Sequence, residues 1–278
     1  MNPADALRQA MVGRVRALFH DETRGEGPVV RSAQPFISAD SVAWRVHGDV
    51  ATMMVGGVSA LLLQMLHPSA RAGVWDHSDF QSDLLGRLRR TARFIAVTTY
   101  ADRDRALAII DRVRRIHQFV NGVRPDGVPY DAEAPRLLAW VHVAGALSFL
   151  DAWVRFGEPG MSRADQDQYF ADVAPVAEGL GADPVPRTRA EAEALRDSFL
   201  GELAPDARSR RIAEIVLRPP GRSLVERPVW SVTAQAAIDL LPVWARRMHG
   251  LSPSRLTRPA VSSATYGLAS ALRWAFAA

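Results

Sequence analysis

Residues 102–120 read DRDRALAIIDRVRRIHQFV, and this stretch decides the fold class. Ala106, Ile109, Ile110, Val113, Ile116 and Val120 recur at intervals of three and four. That spacing gathers side chains onto one stripe of an α-helix. Asp102 stands ahead of the first turn, where a carboxylate can accept from free backbone N–H groups, and Asn121-Gly122 closes the run. The same period continues in both directions. It predicts helices over 3–19, from Ser38 or Ser41 to Arg45, over 50–67, from about Leu84, over 134–156, 162–180, 189–203, 207–217 and 231–248, and over 252–277 with a break near Pro259. Residues 21–35 read as a loop, those from Pro68 through Gly73 and His77 as turns, and Pro125-Gly127-Pro129 as another loop. No alternating strand run, internal repeat or biased linker interrupts the pattern. The prediction is one all-α domain over 1–278, with a cofactor or ligand cavity between its helices.

Composition narrows the chemistry. A chain of 278 residues with 48% hydrophobic and 23% charged residues has ordinary globular composition. At this length it can bury roughly three quarters of its unfolded surface without a covalent staple. It holds no cysteine, which excludes disulfides, thiolate metal sites, iron–sulfur clusters and cysteine nucleophiles. It holds no lysine either, so all 34 basic residues are arginines, and a net charge of only +4 coexists with a pI near 10.2. The arginines are scattered rather than run together, which argues against nucleic acid as a partner. Their dominance over lysine resembles the usage of a GC-rich bacterial genome. Residues 1–21 lack a continuous apolar region and a small-residue cleavage site, so the expectation is a cytoplasmic protein. Val50 to Leu66 carries no charge over 17 residues, the lower edge of a membrane span. Gly56-Gly57 interrupts it and Asp49 and His67 flank it, so it reads as a helix buried on all sides, and no stable membrane span is expected.

Seven histidines occur, and His67, His77, His117 and His142 fall in the middle of the chain. No HExxH or His-x-His metal motif, glycine-rich phosphate loop or GxSxG elbow is present, so a site must be assembled from separate helices. Arg114 and His117, three apart, share a face. That face suits a porphyrin, with imidazole on iron and guanidinium on a propionate, but equally a hydrogen-bonded histidine beside a solvated arginine. His142 sits among Leu137, Leu138, Val141 and Ala146, where a distal pocket residue, a second ligand and a satisfied core histidine all fit. His117 and His142 are expected to face a common interior cavity with Arg114 at its edge. His67 and His77 read as structural, His67 at a helix C-terminus whose dipole favours the cation. Arg87, Arg90 and Thr91 stack on one face, either as a solvated basic stripe or as a polar cluster at a cofactor edge. A non-haem metal centre built from the four central histidines is a further reading.

Several of these residues fall in an order that resembles a known family. The run Leu61-Leu-Leu-Gln-Met-Leu-His67-Pro68, then Ala72-Gly-Val74, Asp76-His-Ser78, Arg87 to Thr91, Arg114-x-x-His117, Pro129-Tyr130 and Trp140-Val-His142 resembles the catalytic domain shared by rubber oxygenases (latex-clearing proteins) and the ER-bound oxygenase of mycophenolic acid biosynthesis. The resemblance covers about residues 45–157, with Leu240-Leu-Pro242 and Arg246-Arg247 echoing it in the tail. It implies an all-helical fold around haem b, with His117 as the proximal iron ligand and Arg87, Arg90, Arg114 and His117 holding the cofactor. It further implies an oxygenase acting on an apolar small molecule with dioxygen, in which Arg87 and Thr91 polarise oxygen or hold a propionate, with His142 a further candidate catalytic residue. One departure matters. Latex-clearing proteins carry a lysine where this chain has Arg90, and a protonated guanidinium has no lone pair to give iron. The sixth position is therefore expected to be open, to hold water, or to be taken by a residue such as His142. The alternative is a non-enzymatic helical protein that binds haem or an apolar ligand.

Overall fold

The computed structural model describes residues 27–218, 226–252 and 263–267, together with Gln9, Ser270 and Arg273. The helix expected over 3–19, the break near Pro259 and most of the last helix lie outside the described residues.

The uncharged segment forms helix α2 (Val50–Gln64), preceded by the short α1 (Val42–His47). Asp49 caps α2 by accepting from the Thr52 N–H, and ten of its fifteen residues, from Ala51 to Leu63, are buried. The helix ends because Pro68 has no N–H to continue it. The expectation of turns from Pro68 onward is corrected here: Pro68–His77 is helix α3, with proline at the first helical position, where its missing N–H costs nothing. His67 is its N-cap, so the dipole beside it is a positive N-terminus rather than the expected C-terminus. The axes of α2 and α3 differ by 107°.

Helices α4 (Leu84–Tyr100) and α5 (Arg103–His117) follow, joined by Ala101-Asp102 alone. The two helices pack against each other across that short link. A two-stranded ribbon comes next, β1 (Asn121–Val123) against β2 (Pro129–Asp131), where only loop was expected. Its strands are too short to show an alternating pattern. Gly122 lies opposite Tyr130, and a Cβ there would fall 2.9 Å from the Tyr130 hydroxyl, so the glycine makes room for the ring as well as ending the helix.

Helix α6 (Pro135–Phe156) is the second apolar core element and lies along α2. Gly56 sets their approach: a Cβ there would sit 2.8 Å from Phe149 Cδ1 and 2.9 Å from Phe149 Cα. By length and mean hydropathy (1.6), α6 could cross a membrane, but 67% of that apolar window is covered within the fold, chiefly by α2. Around this pair pack α7 (Arg163–Leu180), capped by Ser162 as the sequence suggests, α8 (Arg189–Ser198), α9 (Ala207–Leu217), α10 (Glu226–Leu240) and α11 (Val243–Met248). The last two replace the single helix expected over 231–248, split at Pro242, the N-cap of α11. Trp140, Tyr169, Phe156, Phe170 and Phe199 are fully buried in one continuous core. The fold is all-α apart from the ribbon.

Candidate functional site

A cavity of about 140 Å³ opens between α2 and α4. Its α4 wall is Arg87, Leu88, Thr91, Ala92 and Ile95, the i, i+1, i+4, i+5, i+8 stripe of one helical face. The α2 wall is Met53, Met54, Gly57, Ala60, Leu61 and Gln64, and Phe149 of α6 and Trp230 of α10 complete the lining. Except for Arg87, Thr91 and Gln64, every side chain in this lining is apolar or aromatic.

Among the described residues, Arg87 is the one charged group in the lining. Part of its surface reaches solvent, yet burial pushes its guanidinium down to about 10, and the nearby Arg90 charge adds to the shift. Among the described residues no carboxylate pairs with it. Arg90, three residues on, does not line the cavity. It is exposed and lies 3.7 Å from Asp83. Thr91 donates its hydroxyl to the Arg87 carbonyl (3.1 Å), which leaves its oxygen able to accept. Gln64 is held by donation from Nε2 to the Val141 carbonyl (2.8 Å), while its backbone carbonyl accepts from Trp140 Nε1 (3.2 Å).

The histidines divide into two sets. His47 is bonded to Thr99 (2.9 Å) and Tyr169 (3.1 Å). His67 accepts from the Ser69 N–H and lies 3.5 Å from Glu202; burial outweighs that carboxylate and lowers its pKa. His77 meets the Asn121 carbonyl and the Tyr130 hydroxyl, both at 3.1 Å. His249 donates from Nε2 to the Leu62 carbonyl (2.8 Å), although its Nδ1 is buried without a partner. His67 and His77 thus serve structural roles, as expected. His117 and His142 differ. His117 Nδ1 and His142 Nε2 are buried without a hydrogen-bond partner, and neither ring bonds to any described residue. Burial alone holds His142 down to about 4. At His117 burial also lowers the pKa, against the opposing charges of Glu133 and Asp131. Both imidazoles are therefore neutral at pH 7, the form that can bind a metal.

The site residues named from sequence are only partly brought together. Arg87 and Thr91 line the cavity; His117, His142, Arg90 and Arg114 do not. Arg114 is exposed on α5. The common cavity expected for His117 and His142 is thus not this one. No three or more His, Asp or Glu side chains converge as a metal site among the described residues, so the four central histidines do not assemble into one. Sequence reasoning gave no role to Gln64, Gly57, Phe149 or Trp230. Gln64 carried a signal, a lone amide inside an uncharged run; the others carried none that is local.

The model of the family described as ER-bound oxygenase mpaB/B′ and rubber oxygenase, catalytic domain, matches residues 44–274. The chain belongs to that family. The match runs from within α1 through α11 and into the tail, well beyond the core over which the motifs resemble it, and it makes the protein an oxidoreductase of the oxygenase class. Comparisons with curated proteins and with solved structures give no match.

Proposed function

We propose that the protein is a haem b-dependent oxygenase that acts on an apolar small molecule, with His117 as the iron ligand. One observation carries the reading. In a family of oxygenases, His117, on the last turn of α5, keeps a buried ring nitrogen with no hydrogen-bond partner. A buried polar atom left unsatisfied costs roughly 1–3 kcal/mol, and a ligand that it binds removes that cost. The donor set fits a porphyrin iron: imidazole is the only strong neutral donor available, since the chain has neither cysteine nor lysine.

A haem held there would supply the oxygen chemistry, for which the side chains above have no equivalent. The chain's own residues bind and orient. Arg114, one turn before His117, would pair with a propionate, and the exposed Arg90 would act as a charge rather than a ligand. The apolar walls of the cavity take the substrate and exclude water. Thr91 and Gln64 supply the neutral polar contacts, while His142, which lies outside that lining, stays neutral above about pH 5. The test is the absorption spectrum of the purified protein before and after haem addition. A Soret band at one haem per chain is expected, and its absence after reconstitution overturns the assignment.

A further inference from the structure

We infer that the cavity between α2 and α4 binds a ligand with an apolar body and a carboxylate end, and that Arg87 receives the carboxylate. The inference rests on the oxygenase reading above and names the substrate class. Two features carry it. The walls are hydrocarbon and aromatic over most of their extent, which suits an alkyl body. The charged group among them is a guanidinium with no carboxylate beside it among the described residues. Other arginines in the fold do have partners. Arg71 meets Asp206 at 3.0 Å, Arg189 meets Asp151 at 2.6 Å, and Arg124 meets Asp126 at 2.7 Å. An unpaired, partly dehydrated cation is costly, and an anion arriving with the ligand removes that cost through a bidentate pair. Arg90 reinforces the positive potential at the same end, and Thr91 and Gln64 add no negative charge. Burial depresses the Arg87 pKa, as a missing counter-charge requires.

The carboxylate could come from the substrate or from a haem propionate, and the experiment separates them. Binding of dodecanoate and of dodecanol, equal in length and differing in charge, is measured by calorimetry on the full chain without haem and again after haem loading. Wild type should prefer dodecanoate by about tenfold to a hundredfold, the range for one charge-assisted pair in a partly dry site. Arg87→Gln should abolish the preference while dodecanol binding persists, and Arg87→Lys should keep part of it. Gly57→Phe, which fills the chamber from α2, should weaken both ligands, with circular dichroism confirming that it folds. Preference surviving haem loading assigns the carboxylate to the substrate. If haem loading erases it and Arg87→Gln weakens haem instead, the carboxylate is the propionate and the inference falls. Equal affinity for the two ligands in wild type also overturns it. A wild type that takes up no haem yet discriminates dodecanoate leaves this inference standing while the haem assignment fails.

Discussion

Gly56 and Gly57 are neighbours in sequence with opposite surroundings, and replacing each with alanine should change stability in opposite directions. A methyl on Gly56 meets Phe149 Cδ1 at 2.8 Å, Phe149 Cα at 2.9 Å and the Ser148 carbonyl at 3.0 Å. Two of those three atoms are backbone and cannot rotate away, so α2 and α6 must separate by several tenths of an ångström along their shared interface. Overpacking of this kind costs about 1–3 kcal/mol. Replacing a mid-helix glycine returns about 0.5–1 kcal/mol through the unfolded chain. Gly56→Ala should therefore be destabilised by roughly 1–2 kcal/mol, or about 2–6 °C in Tm for a chain of this size. A methyl on Gly57 meets only Phe149 Cε1, at 3.8 Å, an ordinary contact. Gly57→Ala should keep the propensity gain and melt about 1–3 °C higher. Thermal unfolding followed by far-ultraviolet circular dichroism reads both. A Gly56→Ala protein as stable as wild type, or equal losses at the two positions, would refute the close approach of α2 and α6.

Burial holds His47 and His142 down to about 4, against 6.5 when unfolded. Below about pH 6.5 the unfolded chain binds more protons, so each histidine lowers stability by about 1.4 kcal/mol per pH unit as pH falls from 6.5 towards 4. His142→Gln should flatten the decline in urea midpoint between about pH 6 and 5, and an unchanged slope would show that His142 is not buried neutral. Asp49 caps α2 and pairs with Arg273 at 2.6 Å, so Asp49→Ala should cost about 1–3 kcal/mol. Asp49→Asn keeps the cap acceptor and should cost about 1 kcal/mol less in the same urea titration; equal losses would assign the whole effect to the ion pair.

The sequence announced most of the helices and only half of the site, for physical reasons. Helices such as 103–117 and 135–156 bury one face or all faces, and burial writes itself into residue order. Helix 68–77 was missed because Gly73 and Pro68 look like turn residues, although proline at the first helical position favours a start. The ribbon is three residues a side, below the length at which alternation shows. The split at Pro242 was hidden because apolar spacing runs across it, though a proline there was a sufficient sign. In the site, Arg87 and Thr91 were legible as i and i+4 on one face, while Arg90 at i+3 fell on the rim. Phe149 and Trp230 reach the cavity from helices distant in sequence, and no local pattern records that meeting.

The central claim is that His117 holds the cofactor, and the haem-to-protein absorbance ratio of His117→Ala beside Arg90→Ala tests it most directly. Arg90 lies on the exposed rim and cannot ligate while protonated, so its loss should leave a full Soret band. His117→Ala should lose the band after reconstitution and gel filtration. Full haem occupancy in His117→Ala would contradict the account and move the ligand to another residue.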